Sequence, residues 1–150
     1  MSDSAAIVQK FEFEYTLGAT IERAWQAFMF ELSAWWPRDA FSSDETLEMV
    51  LEPCLGGKLY EDSGNAQGTL WYSVISISEP TRVELRGDVS PRFGGPAQLM
   101  LTLEFLADPK GCKLKVTDAG VGAARSESEF KEGWDLIFGA LVEYCEGRTG

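Results

Sequence analysis

The 150-residue chain is strongly acidic, with 13 basic and 24 acidic residues and a formal net charge of −11. This charge would repel nucleic acid and anionic membrane surfaces, while a hydrophobic fraction of 45% is enough to form a core. The sequence contains no histidine, which excludes imidazole general bases and the usual zinc and iron sites. We therefore expect one domain over residues 1–150, with no nucleic-acid partner, no metal and no membrane insertion.

The cysteines and the N-terminus indicate a cytoplasmic protein. Cys54, Cys112 and Cys145 are odd in number and widely spaced, which is typical of reduced thiols rather than of a disulfide framework. Residues 1–4 have neither a basic region nor an apolar stretch, so they do not indicate a secretory signal.

The first segment alternates apolar and polar residues, which predicts a half-buried strand over residues 7–17. Its apolar face consists of Phe11, Phe13, Tyr15 and Leu17. Thr20 then serves as an N-cap, and apolar residues recur at helical spacing from Ile21 onward. Since proline disfavours helical geometry in the residue before it, we expect this helix to end just before Pro37.

Six further segments with apolar alternation and turn residues between them are predicted to be strands. They cover residues 47–52, 58–61, 68–78, 82–86, 97–105 and 112–116. In the third of these, the alternation places Trp71 and Ser73 on one face and Tyr72 on the other. Because no long helix intervenes, these strands cannot be joined by βαβ crossovers, and we expect one antiparallel sheet of six or seven strands.

The last segment is predicted to be a long amphipathic helix that starts near Ser126 or Ser128. Its apolar stripe consists of Phe130, Trp134, Ile137, Phe138, Leu141 and Cys145. Gly133 and Gly139 are unfavourable inside a helix, so we expect the sheet or a ligand to approach the helix backbone closely at these positions. The predicted fold class is α+β, with the curved sheet wrapped around this helix.

A curved sheet closed by one amphipathic helix tends to leave an apolar concave space, which is a common form of ligand site. The residues predicted to contact a ligand are Tyr15, Trp71, Ser73, Leu101, Leu103, Asp118, Trp134 and Phe138. Plain core packing is the alternative for the apolar members, and a local hydrogen bond is the alternative for Ser73 and Asp118. Trp35 and Trp36 are interpreted either as a lid over this space or as an anchor of the first helix.

The sequence offers little for catalysis. No cysteine has a histidine to activate it, and the carboxylates of Glu127 and Glu129 favour the dipole at the start of the last helix. The segment from Gly120 to Arg125 begins like a dinucleotide fingerprint, but Arg125 replaces the third glycine and no parallel strand follows. We therefore assign no catalytic residue and no cofactor, and favour a binding protein over an enzyme.

Several short motifs, in their order and spacing, resemble the START-like (SRPBCC) superfamily with its helix-grip fold. Within it, the chain is most similar to bacterial proteins related to the activator of the heat-shock chaperone ATPase. The motifs are Thr20 with Trp25, Trp35-Trp36-Pro37, Pro53-Cys54-Leu55-Gly56-Gly57, Gly68-Thr69 to Pro80, and Gly133-Trp134. The resemblance covers nearly the whole chain and concerns fold and family.

The resemblance implies a cavity between the sheet and the last helix, which the superfamily uses for lipids, hormones, polyketides and other apolar molecules. Our first hypothesis is a carrier or sensor of a small hydrophobic molecule. The second is a protein-interaction module that binds a chaperone or forms a dimer, which an exposed apolar patch outside the cavity would favour. The third is a cyclase or hydrolase acting on an apolar substrate, which a carboxylate facing the cavity would favour.

Overall fold

The computed structural model describes residues 5–147, so the N-terminal residues 1–4 discussed above lie outside the described part. Its main feature is a curved, unclosed antiparallel sheet with the strand order β1-β7-β6-β5-β4-β3-β2. The strands are β1 (Ile7–Leu17), β2 (Glu48–Leu51), β3 (Lys58–Gly64), β4 (Gln67–Ser78), β5 (Arg82–Val89), β6 (Ala97–Asp108) and β7 (Gly111–Gly122). Together with the helices below, this confirms the predicted α+β helix-grip fold.

In the described part of the chain, three α-helices cover one face of the sheet: α1 (Ile21–Phe30), α2 (Leu32–Trp35) and α3 (Glu127–Cys145). Two short 3₁₀ turns, Arg38–Ala40 and Pro91–Phe93, lie in the connections. Within residues 5–147, no helix is both long and apolar enough to cross a membrane.

Strands β1, β7 and β6 form a regular ladder in which the sequence alternation is preserved. Phe11 lies opposite Asp118, which in turn lies opposite Leu101, and all three point to the inner face because paired residues share a face. Phe11 and Leu101 belong to the buried hydrophobic core, and Asp118 is buried among them. This ladder therefore places one carboxylate in the middle of an apolar wall.

Strand β4 departs from simple alternation at two β-bulges. Leu59 and Tyr60 pair with Tyr72 and Leu70, so Trp71 is an extra residue on its strand. A second register shift follows between Val74 and Ser76. The first bulge turns Trp71 and Tyr72 to the same inner side and Ser73 to the opposite face. The prediction that Trp71 and Ser73 share a face is wrong for this reason.

The first helical region is divided at Glu31, where the backbone leaves helical geometry (φ −128°, ψ 23°). The sequence predicted one helix up to Pro37, whereas the structure has α1 and then the single turn α2. The Glu31 carboxylate bonds to the Arg23 guanidinium at 2.9 Å and accepts a hydrogen bond of 2.6 Å from the Tyr144 hydroxyl. These contacts connect the end of α1 to the C-terminal part of α3.

Helix α3 begins as predicted, with the Ser126 hydroxyl accepting a hydrogen bond from the amide of Glu129. It packs through Phe138, whose ring centroid lies 5.2 Å from that of Tyr15. The prediction that the sheet approaches the two helix glycines is wrong, because a methyl group at Gly133 or Gly139 would have no protein neighbour within 4 Å. The approach of a ligand at these positions stays a prediction. These glycines leave open space beside the helix.

Candidate functional site: a cavity between the last helix and the sheet

A cavity of about 360 Å³ lies between α3 and the inner face of the sheet. Residues from helices, strands and both 3₁₀ turns form its wall, and none of them is charged. They are Phe28, Trp36, Ala40, Met49, Leu59, Trp71, Tyr72, Val89, Phe93, Leu99, Leu101, Phe130, Trp134, Ile137 and Phe138. This volume lies within the range of small-molecule sites, and such a lining favours apolar molecules.

Aromatic rings form two opposite parts of this wall. On α3, the ring centroids of Trp134 and Phe138 lie 5.4 Å apart. On the sheet side, the ring of Trp71 lies 4.9 Å from that of Phe93, which belongs to the second 3₁₀ turn. Aromatic pairs at these distances attract each other beyond simple burial, so the rings hold one another in place.

The indole of Trp134 is held by a buried carboxylate on the sheet. Its Nε1 donates a hydrogen bond of 3.0 Å to Oδ2 of Asp118, whose exposed fraction is 0%. The other oxygen, Oδ1, accepts a hydrogen bond of 2.8 Å from Nη1 of Arg125, whose side chain is only 6% exposed. A buried charge is costly unless it is paired or fully hydrogen-bonded, and Asp118 has both kinds of partner.

Arg125 is itself fixed from several sides. Its guanidinium carbon lies 4.8 Å from the ring centroid of Phe11 and 4.6 Å from that of Phe130, so two aromatic rings flank the cation. Its backbone amide donates to Gln9, which donates back to the Arg125 carbonyl. A methyl group at Gly120 would lie 2.9 Å from Nη2, so glycine leaves the space that the guanidinium occupies.

The indole of Trp71 is held by a second buried carboxylate, that of Glu61 on β3. Trp71 Nε1 donates 2.8 Å to Oε2 of Glu61, which is 1% exposed. The Thr46 hydroxyl donates 2.6 Å to Oε1, and the amide of Ser42 lies 3.0 Å from both oxygens. Three neutral donors therefore satisfy this carboxylate, and within residues 5–147 no ion pair to it is present.

Two wall residues keep a polar group without a hydrogen-bond partner among the described residues. Tyr72 lines the cavity, and its hydroxyl makes no hydrogen bond to another described group. Burial, and secondly the negative charge of Asp118, raises the pKa of the Tyr72 hydroxyl, while Arg125 lowers it. The Nε1 of Trp36 is buried and unpartnered. By contrast, Trp35 anchors α2 by donating 2.9 Å to the carbonyl of Ala27.

Four of the eight predicted ligand contacts lie on the cavity wall, and four do not. Those on the wall are Trp71, Leu101, Trp134 and Phe138, and those outside it are Tyr15, Ser73, Leu103 and Asp118. Tyr15 donates instead to Asp135 at 2.8 Å, and Leu103 is fully buried in the core. Whether any of the eight contacts a ligand stays a prediction.

Sequence reasoning missed several residues of the site. Tyr72 was assigned to the other face because the bulge at Trp71 has no signature in the alternation. Phe93 lies in a segment that the sequence analysis interpreted as a loop. The isolated aromatic residue among glycine and proline residues was the available signal that this loop contributes to the site. Glu61 is a glutamate on the inward phase of its strand, two residues after the buried Leu59, and that phase could have identified it.

Two of the three cysteines have raised thiol pKa values. Burial raises the pKa of the Cys112 thiol to about 11, and burial likewise raises that of Cys145 to about 11, so both are protonated at neutral pH. In the described part of the chain, no three side chains of the metal-ligating types cluster together.

Comparisons with known proteins agree with this architecture. The family model of activator of Hsp90 ATPase homolog 1-like proteins (AHSA1) matches residues 18–146. A search of curated proteins gave no significant match.

Solved structures with the same fold have low sequence identity. An uncharacterized protein from Rhizobium leguminosarum has a TM-score of 0.70 at 19% identity, covering 97% of this chain and 99% of that one. An AHSA1-like protein from Aeromonas hydrophila has a TM-score of 0.64 at 18% sequence identity, and the match covers 93% of each chain. The Aha1 dimer from Colwellia psychrerythraea has a TM-score of 0.66 at 13% identity, and the match covers 95% of this chain and 99% of that one. With the family match extending over most of its length, the chain belongs to the family of activator of Hsp90 ATPase homolog 1-like proteins.

Proposed function

We propose that the protein binds a small hydrophobic molecule in the cavity between α3 and the sheet and acts as its carrier or sensor. The observation that supports this most is the lining, in which fifteen residues from both sides of the fold provide a wall without a charged side chain. Transfer of an apolar molecule from water into such a space is favourable by roughly 25 cal/mol per Å² of buried apolar surface. We also propose a cytoplasmic location, which the three free thiols support.

A titration with N-phenyl-1-naphthylamine tests this proposal, because this neutral apolar probe becomes fluorescent when it leaves water. The variant Ala40→Phe places a ring in the cavity, since Ala40 lies on its wall. We expect the probe to bind the native protein and the affinity to fall at least about tenfold in this variant, equivalent to about 1.4 kcal/mol.

The matched control is Ala34→Phe, because Ala34 is exposed on α2 and does not line the cavity. Its affinity should equal that of the native protein. Equal affinities in all three proteins would mean that the probe binds elsewhere and would remove the support for the cavity. Native mass spectrometry of gently purified protein would then identify the class of any molecule that the cavity retains.

The enzymatic alternative, a cyclase or hydrolase, needs a group that faces the substrate. Neither of the buried carboxylates beside the cavity, Glu61 and Asp118, belongs to its lining, and each oxygen of both already accepts a hydrogen bond. A carboxylate held in this way orients the tryptophan beside it. We therefore propose binding rather than catalysis.

A second candidate function, self-association, is favoured by an apolar patch on the outer face of the sheet. Val8 on β1 lies opposite Val121 on β7. Ala119, which also lies on β7, is opposite Met100 on β6. Val8 is 81% exposed, and Val121 and Met100 are also exposed. A structure of similar fold was determined as a dimer. Sedimentation equilibrium tests this candidate: a dimer that dissociates in Val8→Lys supports it, and a native monomer excludes it.

A further inference from the structure

The ligand that fits this cavity needs more than apolar surface, because the wall contains two polar groups without a partner. The Tyr72 hydroxyl makes no hydrogen bond to the described residues, and the buried Trp36 Nε1 has none either. The Tyr72 hydroxyl is not one of the fully buried unpartnered atoms, so its oxygen remains accessible. An accessible hydroxyl on an otherwise apolar wall, without a partner among the described residues, indicates the polar chemistry of the occupant.

Both groups are hydrogen-bond donors. An indole N–H can only donate. The Tyr72 hydroxyl remains protonated over the neutral pH range, because its burial raises its pKa. Because the hydroxyl can donate and the indole can only donate, a hydrogen-bond acceptor is the kind of group that could partner either of them.

The acceptor must belong to an uncharged molecule. The wall contains no cationic side chain. Arg125 is paired with Asp118 through Nη1 at 2.8 Å, and its unpartnered Nη2 is fully buried and does not belong to the wall. An anionic ligand would thus lose its hydration without gaining a counter-ion, which is strongly unfavourable in an apolar site. The formal net charge of −11 adds a repulsive field around the protein.

We propose that the cavity selects neutral, largely apolar molecules that carry a carbonyl or ether oxygen, and that the Tyr72 hydroxyl donates its hydrogen bond to that oxygen. This inference rests on the proposed function. It names the ligand class and the residue that recognises it, whereas the apolar wall alone would accept any hydrocarbon of suitable size.

Two rigid compounds of nearly equal shape, 9-fluorenone and fluorene, test the inference, because they differ only by a ketone in place of a methylene group. Competition against N-phenyl-1-naphthylamine gives the ratio of their affinities for each protein. In Tyr72→Phe, we expect the preference for the ketone to fall roughly three- to tenfold, the equivalent of one neutral hydrogen bond of about 0.7–1.4 kcal/mol. The affinity for fluorene should remain unchanged, which shows that the cavity is intact.

The matched control is Tyr15→Phe, which removes the hydroxyl of a tyrosine that donates to Asp135 and does not line the cavity. Its affinity ratio should equal that of the native protein. The ionised 9-fluorenone-2-carboxylate should compete far less well than the ketone, and equal competition would overturn the requirement for a neutral ligand.

The outcomes separate this inference from the function on which it rests. If neither compound nor the probe binds, the proposed function fails. If both compounds bind and Tyr72→Phe leaves their ratio unchanged, only the ligand class fails. A ratio that changes in Trp36→Phe but not in Tyr72→Phe would overturn the assignment to Tyr72 and transfer it to the indole.

Discussion

The two tryptophans on opposite walls of the cavity each donate a hydrogen bond to a buried carboxylate, but only one of the two carboxylates is paired with a cation. Trp134 donates to Asp118, which an arginine neutralises at 2.8 Å. Trp71 donates to Glu61, which accepts hydrogen bonds from neutral groups only within the described residues. In both cases a buried carboxylate beneath the wall fixes the indole by a hydrogen bond, while the ring surface faces the cavity.

This difference determines how strongly a single substitution should destabilise each wall. The Asp118 site depends on a single cation, because the removal of one partner of a buried ion pair leaves an isolated charge. The Glu61 site shares its charge among three donors, so the loss of any one hydrogen bond removes only part of its stabilisation. The helix wall should therefore respond more strongly to one substitution than the sheet wall.

The largest effect is expected for Arg125→Met, which leaves the fully buried Asp118 without its cation. The free energy of unfolding should fall by about 3–5 kcal/mol, measured by urea denaturation. The double variant Arg125→Met with Asp118→Asn should recover a large part of this loss, because no unpaired charge remains. A double variant as unstable as the sum of its two single variants would show that the pair is not coupled.

A smaller effect is expected for Glu61→Gln. The amide keeps one acceptor for the donors around it and presents an NH₂ group to the others, so the free energy of unfolding should fall by roughly 1–3 kcal/mol. The tryptophan emission should shift, since Trp71 loses its carboxylate partner. The control is Glu48→Gln on the neighbouring strand β2, where the side chain is exposed. A loss as large as that of Arg125→Met would break the comparison between the two walls.

The fold was predictable because its signals are local and periodic. The alternation of apolar and polar residues predicted strand β1 with its observed bounds, and the N-cap residue Ser126 predicted the start of α3. The wall on α3 was predictable for the same reason, since Trp134 and Phe138 share one helical stripe.

The polar part of the site was not predictable, because it depends on pairings between residues distant in sequence. Asp118 was recognised as an inward polar residue, but its partner Arg125 stood in a segment that matched no known motif. The bulge at Trp71 depends on register with β3, so alternation within β4 alone placed Tyr72 on the wrong face. Likewise, Gly133 suggested a close neighbour, although the residue lies on the exposed side of its helix.

The helix wall offers a further test through Gly133, which directly precedes Trp134. Because a methyl group there would meet no atom within 4 Å, Gly133→Ala should raise the free energy of unfolding by about 0.5–1 kcal/mol through helix propensity alone. The control is Gly57→Ala, where the new methyl group would overlap the Glu52 carbonyl oxygen and should destabilise the protein. Destabilisation by Gly133→Ala would instead mean that the backbone beside Trp134 is closely packed.

The smallest effect concerns Glu31, a partly exposed carboxylate that also has a cation but lies outside the core. Hydrogen bonds from Arg23 first, and from Tyr144 second, lower the pKa of Glu31 below its ordinary value of 4.5. Since the pKa is lower in the folded than in the unfolded protein, the stabilisation is present at neutral pH and is lost as the pH falls through the folded value.

Because solvent screens this exposed pair, the contribution should not exceed about 1 kcal/mol. Glu31→Gln should therefore lower stability slightly at about pH 7 and reduce its further decline between about pH 5 and about pH 3, measured by urea denaturation at each pH. Glu22→Gln on the exposed side of α1 is the matched control and should leave the decline unchanged. An identical acid dependence in Glu31→Gln and in the native protein would show that a cation beside a carboxylate matters for the stability of this fold only where both are buried, as they are beneath Trp134.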